Sequence, residues 1–113
     1  MIKVVVVDVK NHAFSNRRII EKELISVGAD SKCDVVCSSA HVSANHGKIL
    51  FVRGLKSHLE YDDTSTNGTL ILRWKDFKAD PIFVKGSKVN IHPSDWICIV
   101  NKGFIGIIII IQN

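Results

Sequence analysis

The run Asp63-Thr64-Ser65-Thr66-Asn67-Gly68-Thr69, with Ser43-Ala44-Asn45-His46 upstream of it, decides how this chain is read. Asn-Gly among Ser and Thr is turn chemistry: the short polar side chains bond nearby backbone, and glycine accepts φ > 0. Both stretches border strand-like apolar segments, Lys48-Ile49-Leu50-Phe51-Val52 between them and Thr69-Leu70-Ile71-Leu72 after the second. Loops that carry hydroxyls, an amide and an imidazole, with no paired carboxylates and no nucleophile beside a base, suit recognition rather than catalysis.

Working outward, the same cadence fills the chain. Residues 2–9 are β-branched and end at Lys10-Asn11-His12; further short apolar segments fall at 34–37, 57–61, 82–84, 88–91, 96–100 and 104–111. Many short strands at about 8–12-residue spacing predict an all-β sandwich or barrel. Residues 17–27 are ambiguous: Ile20, Leu24 and Val27 fall at helical spacing, with Ser15 and Gly28 as possible caps. No internal repeat, low-complexity tract or Pro/Gly-rich linker interrupts the chain, so residues 1–113 are expected to form a single domain.

Composition narrows the class. A chain of 113 residues with 46% hydrophobic and 23% charged residues can stand on its own core. Its net charge of +4 favours anionic partners without forming a basic tail. Cys33, Cys37 and Cys98 cannot all pair within one chain, which points to a reducing, cytoplasmic setting. Asp8 comes too early for a signal peptide, and the apolar residues 104–111 fall short of the ~20 needed to span a bilayer, so no membrane association is expected.

Gly28, Cys33-Asp34-Val35, Val42-Ser43-x-x-His46 and Asp63-x-Ser65-x-Asn67-Gly68-Thr69, in this order and spacing, resemble the forkhead-associated (FHA) domain family, as does the late turn Pro93-Ser94-Asp95-Trp96-Ile97. The resemblance covers roughly residues 24–100. It implies an eleven-stranded sandwich of two sheets with ligand loops at one end, makes residues 17–27 strand rather than helix, and implies binding of phosphothreonine in a short peptide. Onto this chain it carries Ser43 as the phosphate-binding serine, with the Ala44 amide as a backbone donor beside it. Thr66 becomes a loop hydroxyl that reaches the phosphate, and Asn67 the amide that bonds peptide main chain. Gly28, His46, Asp63, Ser65 and Gly68 become structural members of the motif.

Where the family normally has arginine after the glycine turn, this chain has Ala29. A guanidinium there makes charge-assisted bonds to phosphate. The nearest basic replacement is Lys32 in the same turn, with Lys48 and Lys56 as further candidates; Asn45 occupies a motif place where basic residues are frequent, and Ala44 replaces a commoner arginine or asparagine. Two readings stay open: a phosphothreonine reader that uses a lysine as its cation, and a phosphate-independent assembly scaffold on the same fold.

Rival classes are weaker. Cys33, Cys37, His41 and His46 are zinc-compatible residue types, but their pairs sit too close in sequence, and on a strand Cys33 and Cys37 would be about 13 Å apart. No metal or other cofactor is expected. Arg17-Arg18 with Phe14, and Arg73-Trp74-Lys75 with Phe77 and Lys78, interleave bases and aromatics as single-strand binders do, yet such small clusters are ordinarily solvated surface. Asn67-Gly68-Thr69 fits the glycosylation pattern without a secretory context. No Gly-Lys-Ser, Gly-x-Ser-x-Gly or activated cysteine suggests an enzyme. Trp96, opening an apolar strand, is expected in the core, and Trp74, between Arg73 and Lys75, partly exposed.

Overall fold

A computed structural model describes residues 1–74 and 80–112. Eleven strands are present among them: β1 Ile2–Lys10, β2 Ala13–Lys22, β3 Leu24–Gly28, β4 Val35–Val36, β5 Gly47–Val52 and β6 His58–Asp63 lead, followed by β7 Thr69–Arg73, β8 Ile82–Val84, β9 Lys88–Ile91, β10 Asp95–Asn101 and β11 Phe104–Ile111. They form a six-stranded sheet in the order β2-β1-β11-β10-β7-β8 and a five-stranded sheet in the order β4-β3-β5-β6-β9. The expected two-sheet sandwich is what the chain adopts. Residues 17–27 are strand throughout except at Glu23, so the helical spacing of Ile20, Leu24 and Val27 carries no helix. Val27 and Ile25 are fully buried, whereas Leu24 is exposed, as a period of two requires.

Alternation sets the core. Val4, Val6, Ile97, Ile99 and Ile109 point inward from one sheet, and Ile25, Val27, Ile49 and Tyr61 from the other. Burying one such side chain stabilises by roughly 1.5–3 kcal/mol. Trp96 departs from its expected place. It lies half-buried on the outer face of the six-stranded sheet, its ring edge-on to Trp74 at 5.1 Å and to Phe14 at 6.2 Å. The reason is register: Ile97 and Ile99 take the inward positions, so Trp96 and Cys98 face out. Trp74 is exposed.

Antiparallel pairing also decides which loops meet. β3 runs toward the same end as β6 and β10, parallel to β4, and their antiparallel partners β5, β7 and β11 start there, as the Ser39–Asn101 and His46–Thr69 bonds between the two sheets show. The β3–β4, β4–β5, β6–β7 and β10–β11 connections therefore gather at one end of the sandwich. The β5–β6 loop, and Lys56 with it, lies at the other end. No helix among the described residues is long and apolar enough to cross a membrane.

Candidate functional site

At the loop end, Ser43 and Thr66 meet. The Thr66 backbone N–H donates to Ser43 Oγ at 3.0 Å, and the two side-chain hydroxyls stand 3.5 Å apart. Ser43 Oγ accepts from that amide and turns its own proton toward Thr66 Oγ1, a long contact that a ligand oxygen can replace. The Ala44 N–H makes no hydrogen bond among the described residues, while the Ala44 carbonyl accepts from Asp30 N at 3.3 Å. Ala29 N donates to Ser43 O at 2.9 Å, locking the β3–β4 turn against the serine loop.

Gly28 is required for space. A Cβ at this position would lie 2.0 Å from the Ala44 carbonyl oxygen, so the turn can approach the serine loop only without a side chain. Its role is close approach, since its φ is not in the left-handed region. Gly68 does adopt such a conformation, with φ +87°.

Beneath the hydroxyls lies a buried polar network. His46 Nδ1 accepts from Ser43 N–H at 3.3 Å, so the ring proton is on Nε2, which stands 3.1 Å from both Gly68 O and Thr69 Oγ1. Burial holds the His46 pKa below its ordinary value, against the opposing pull of the Gly68 carbonyl and Asp63. The imidazole is thus neutral and has no free nitrogen to offer.

Asp63 anchors the other side. Its carboxylate accepts from Thr69 Oγ1 at 2.6 Å, Ser65 Oγ at 2.8 Å, Gly86 N at 3.0 Å and Ser65 N at 3.2 Å. Burial alone would raise this carboxyl, but these donors outweigh it and hold the pKa below the usual range. Ser65 Oγ in turn accepts from Gly68 N at 2.8 Å, closing the Asn-Gly turn.

Asn67 is exposed, and its Nδ2 donates to the His41 carbonyl at 2.9 Å, leaving its side-chain oxygen open. Asn45 is also exposed; its carbonyl accepts from Thr64 Oγ1 at 2.8 Å. Lys32 is exposed in the β3–β4 turn, where its backbone N–H donates to Asp30 Oδ1 at 2.9 Å. Lys48 points its ammonium at Asp62, 4.0 Å away, and Lys56 lines a cavity with Met1 and Pro93 at the opposite end. Of the lysines named from the sequence, Lys32 alone lies in the loops beside Ser43.

A second cation was missed. Lys102, in the β10–β11 turn, lines a cavity of about 380 Å³ together with His41, Asn67, Leu70 and Phe83. The signal was present: strand alternation places Lys102-Gly103 at the same end as Asn67-Gly68. Among the described residues no group of three His, Cys, Asp or Glu side chains is arranged to hold a metal ion. Of the aromatic and basic clusters, Lys75, Phe77 and Lys78 lie outside the described residues.

Comparison with known proteins agrees with this geometry. A search of curated proteins gives no match. Among solved structures, the chain is similar to an engineered FHA with Myc-pTBD peptide, at TM-score 0.68 and 21% identity over 99% of this chain and 93% of that one. It is also similar to the N-terminal FHA domain of S. cerevisiae Rad53p in complex with a phosphothreonine peptide, at TM-score 0.65 and 19% identity over 96% and 93% of the two chains. A third similar structure is the Slr1951 protein from Synechocystis sp., at TM-score 0.64 and 15% identity over 100% and 98%. The family model of the FHA domain matches residues 25–93, from the middle of β3 through the turn before β10. The chain belongs to the FHA domain family, whose members are phosphothreonine-peptide-binding interaction modules.

Proposed function

We propose that the loop end binds a phosphothreonine-containing peptide of an intracellular protein, and that the chain is a non-enzymatic recognition module. The observation that carries this reading is the convergence of the Ser43 and Thr66 hydroxyls, 3.5 Å apart, beside the open Ala44 N–H. A phosphate ester offers three strong acceptor oxygens and about −1.5 to −2 charge, and converging hydroxyl and amide donors are what it needs. Asn67, tethered through Nδ2 to His41, presents its oxygen to a peptide N–H. Lys32 supplies positive charge from the β3–β4 turn, and Asn45 extends the polar rim.

Ala29 favours a second reading, a phosphate-independent assembly module on the same scaffold. Lacking the charge-assisted bonds of an arginine costs about 1.5–3 kcal/mol, or roughly one to two decades of affinity. Titration with a degenerate phosphothreonine peptide library and its unphosphorylated counterpart separates the two. Preference for the phosphorylated pool, abolished by Ser43→Ala, is the expected result, with Ala29→Arg tightening it roughly 10–100-fold. Indifference to phosphate in the native chain, with phosphate-dependent binding gained only in Ala29→Arg, establishes the assembly reading instead.

A further inference from the structure

Strands β1 and β11 are apolar on both faces. An antiparallel sheet with one wet face alternates apolar and polar residues, and a near-continuous apolar run marks a strand covered on both sides. Inward, Val4, Val6, Ile107 and Ile109 meet the core; outward, Val5, Val7, Ile108 and Ile110 underlie an aromatic layer that nothing among the described residues covers. Of the nine large apolar side chains left exposed among the described residues, four share this outer face: Phe14, Ile19, Trp74 and Phe83. Phe14, Ile19, Trp74 and Phe83 are 52–65% exposed and adjoin half-buried Trp96 and Leu72, a contiguous apolar patch of the kind that marks an interaction surface.

The register shows what fits this face. Cross-strand neighbours Ile19, Val5, Ile110, Trp96 and Leu72 form one apolar row spanning five strands. On β2, Arg17 and Glu21 flank Ile19 at equal distance on the same face. A two-fold axis lying along the row brings Arg17 of one chain over Glu21 of the other, twice, and sets Leu70 and Phe83 against the second Trp74. Shifting the axis one row toward the loops would oppose two Arg17 side chains, a like-charge contact that rejects that register. Flat sheet faces pack on each other about 10 Å apart, and a self-complementary patch closes as a two-fold pair.

We propose that the outer face of the six-stranded sheet is a dimer interface occupied by a second copy of this chain, with Ile19 on the axis and Arg17–Glu21 pairs at its rim. The face lies mainly to one side of the loop end and reaches it at Leu70 and Phe83, which also line the cavity beside Asn67. Sedimentation equilibrium over roughly 1–500 µM tests it. A reversible dimer is expected, with Ile19→Lys and Arg17→Glu each weakening association about tenfold or more, and Arg17→Glu/Glu21→Arg restoring it. Ile19 is 63% exposed, so Ile19→Lys leaves the monomer's thermal unfolding unchanged. A monomer at every concentration, a dimer indifferent to Ile19→Lys, or a charge swap without rescue each overturns the proposal.

Discussion

Asp63 shows how one side chain holds a loop that it never exposes. It is 1% accessible and takes hydrogen bonds from Tyr61, Ser65, Thr69 and Gly86, so its charge is neutralised by donors instead of a cation. Asp63→Asn keeps the shape but turns a donor toward donors that already point at it. The substitution is expected to cost about 2–3 kcal/mol at neutral pH, read as a lower urea midpoint with unchanged slope. The motif made Ser43, Thr66, His46 and Asp63 legible because local side-chain bonding leaves a mark in residue type and spacing. The Asn67 tie to a carbonyl of a different loop left none, since any residue offers a carbonyl. The space Gly28 concedes to Ala44 was equally silent: the glycine was visible, and its neighbour was not.

Among the elements, β11 is the keystone of the larger sheet, paired to β1 on one side and β10 on the other. Ile109 is fully buried at its centre, opposite Val6 and Ile97. Ile109→Ala is expected to destabilise by about 3 kcal/mol through lost transfer energy and a residual cavity, measurable by the same urea titration. Strand positions were readable where turn residues punctuate the chain, as at Lys10-Asn11-His12 and Asn101-Lys102-Gly103. Residues 17–27 were not readable from periodicity, because Ile20, Leu24 and Val27 sit on two strands split at Glu23 and owe their spacing to two separate alternations. Trp96 misled for a related reason. Size and hydrophobicity do not tell the faces of a sheet apart when both are apolar, and here Ile97 and Ile99 hold the inner one.

The molecule as a whole weakens in acid through His46 and Asp63, and in alkali through the buried Cys98 thiol and Tyr61 phenol, whose pKa values burial raises. His46 is neutral when folded, its pKa below the ordinary 6.5, and Asp63 is charged, its pKa below the ordinary 3.8. In both cases the unfolded chain binds protons before the native one does. The stability these two groups contribute is therefore complete above about pH 6.5, falls as His46 begins to be charged in the unfolded state, and falls again below about pH 4 as Asp63 follows. His58 runs the other way, raised by the Lys56 carbonyl and Glu60, so its contribution is present at low pH and fades above its folded pKa. It is exposed to solvent and too weak to reverse the trend. Thermal unfolding from about pH 8 to about pH 3 is expected to show a two-step decline; a flat profile between pH 7 and 5 would contradict the neutral, doubly bonded imidazole. The pairing of β1 with β11 reaches furthest in time. β1 finds a hairpin partner at once in β2, but its other neighbour comes only from residues 104–111, so one edge of the valine run stays unpaired until β11 has been made. Closing so long a loop makes that pairing slow as well as late, and in that interval the open strand edge is the segment most exposed to wrong partners.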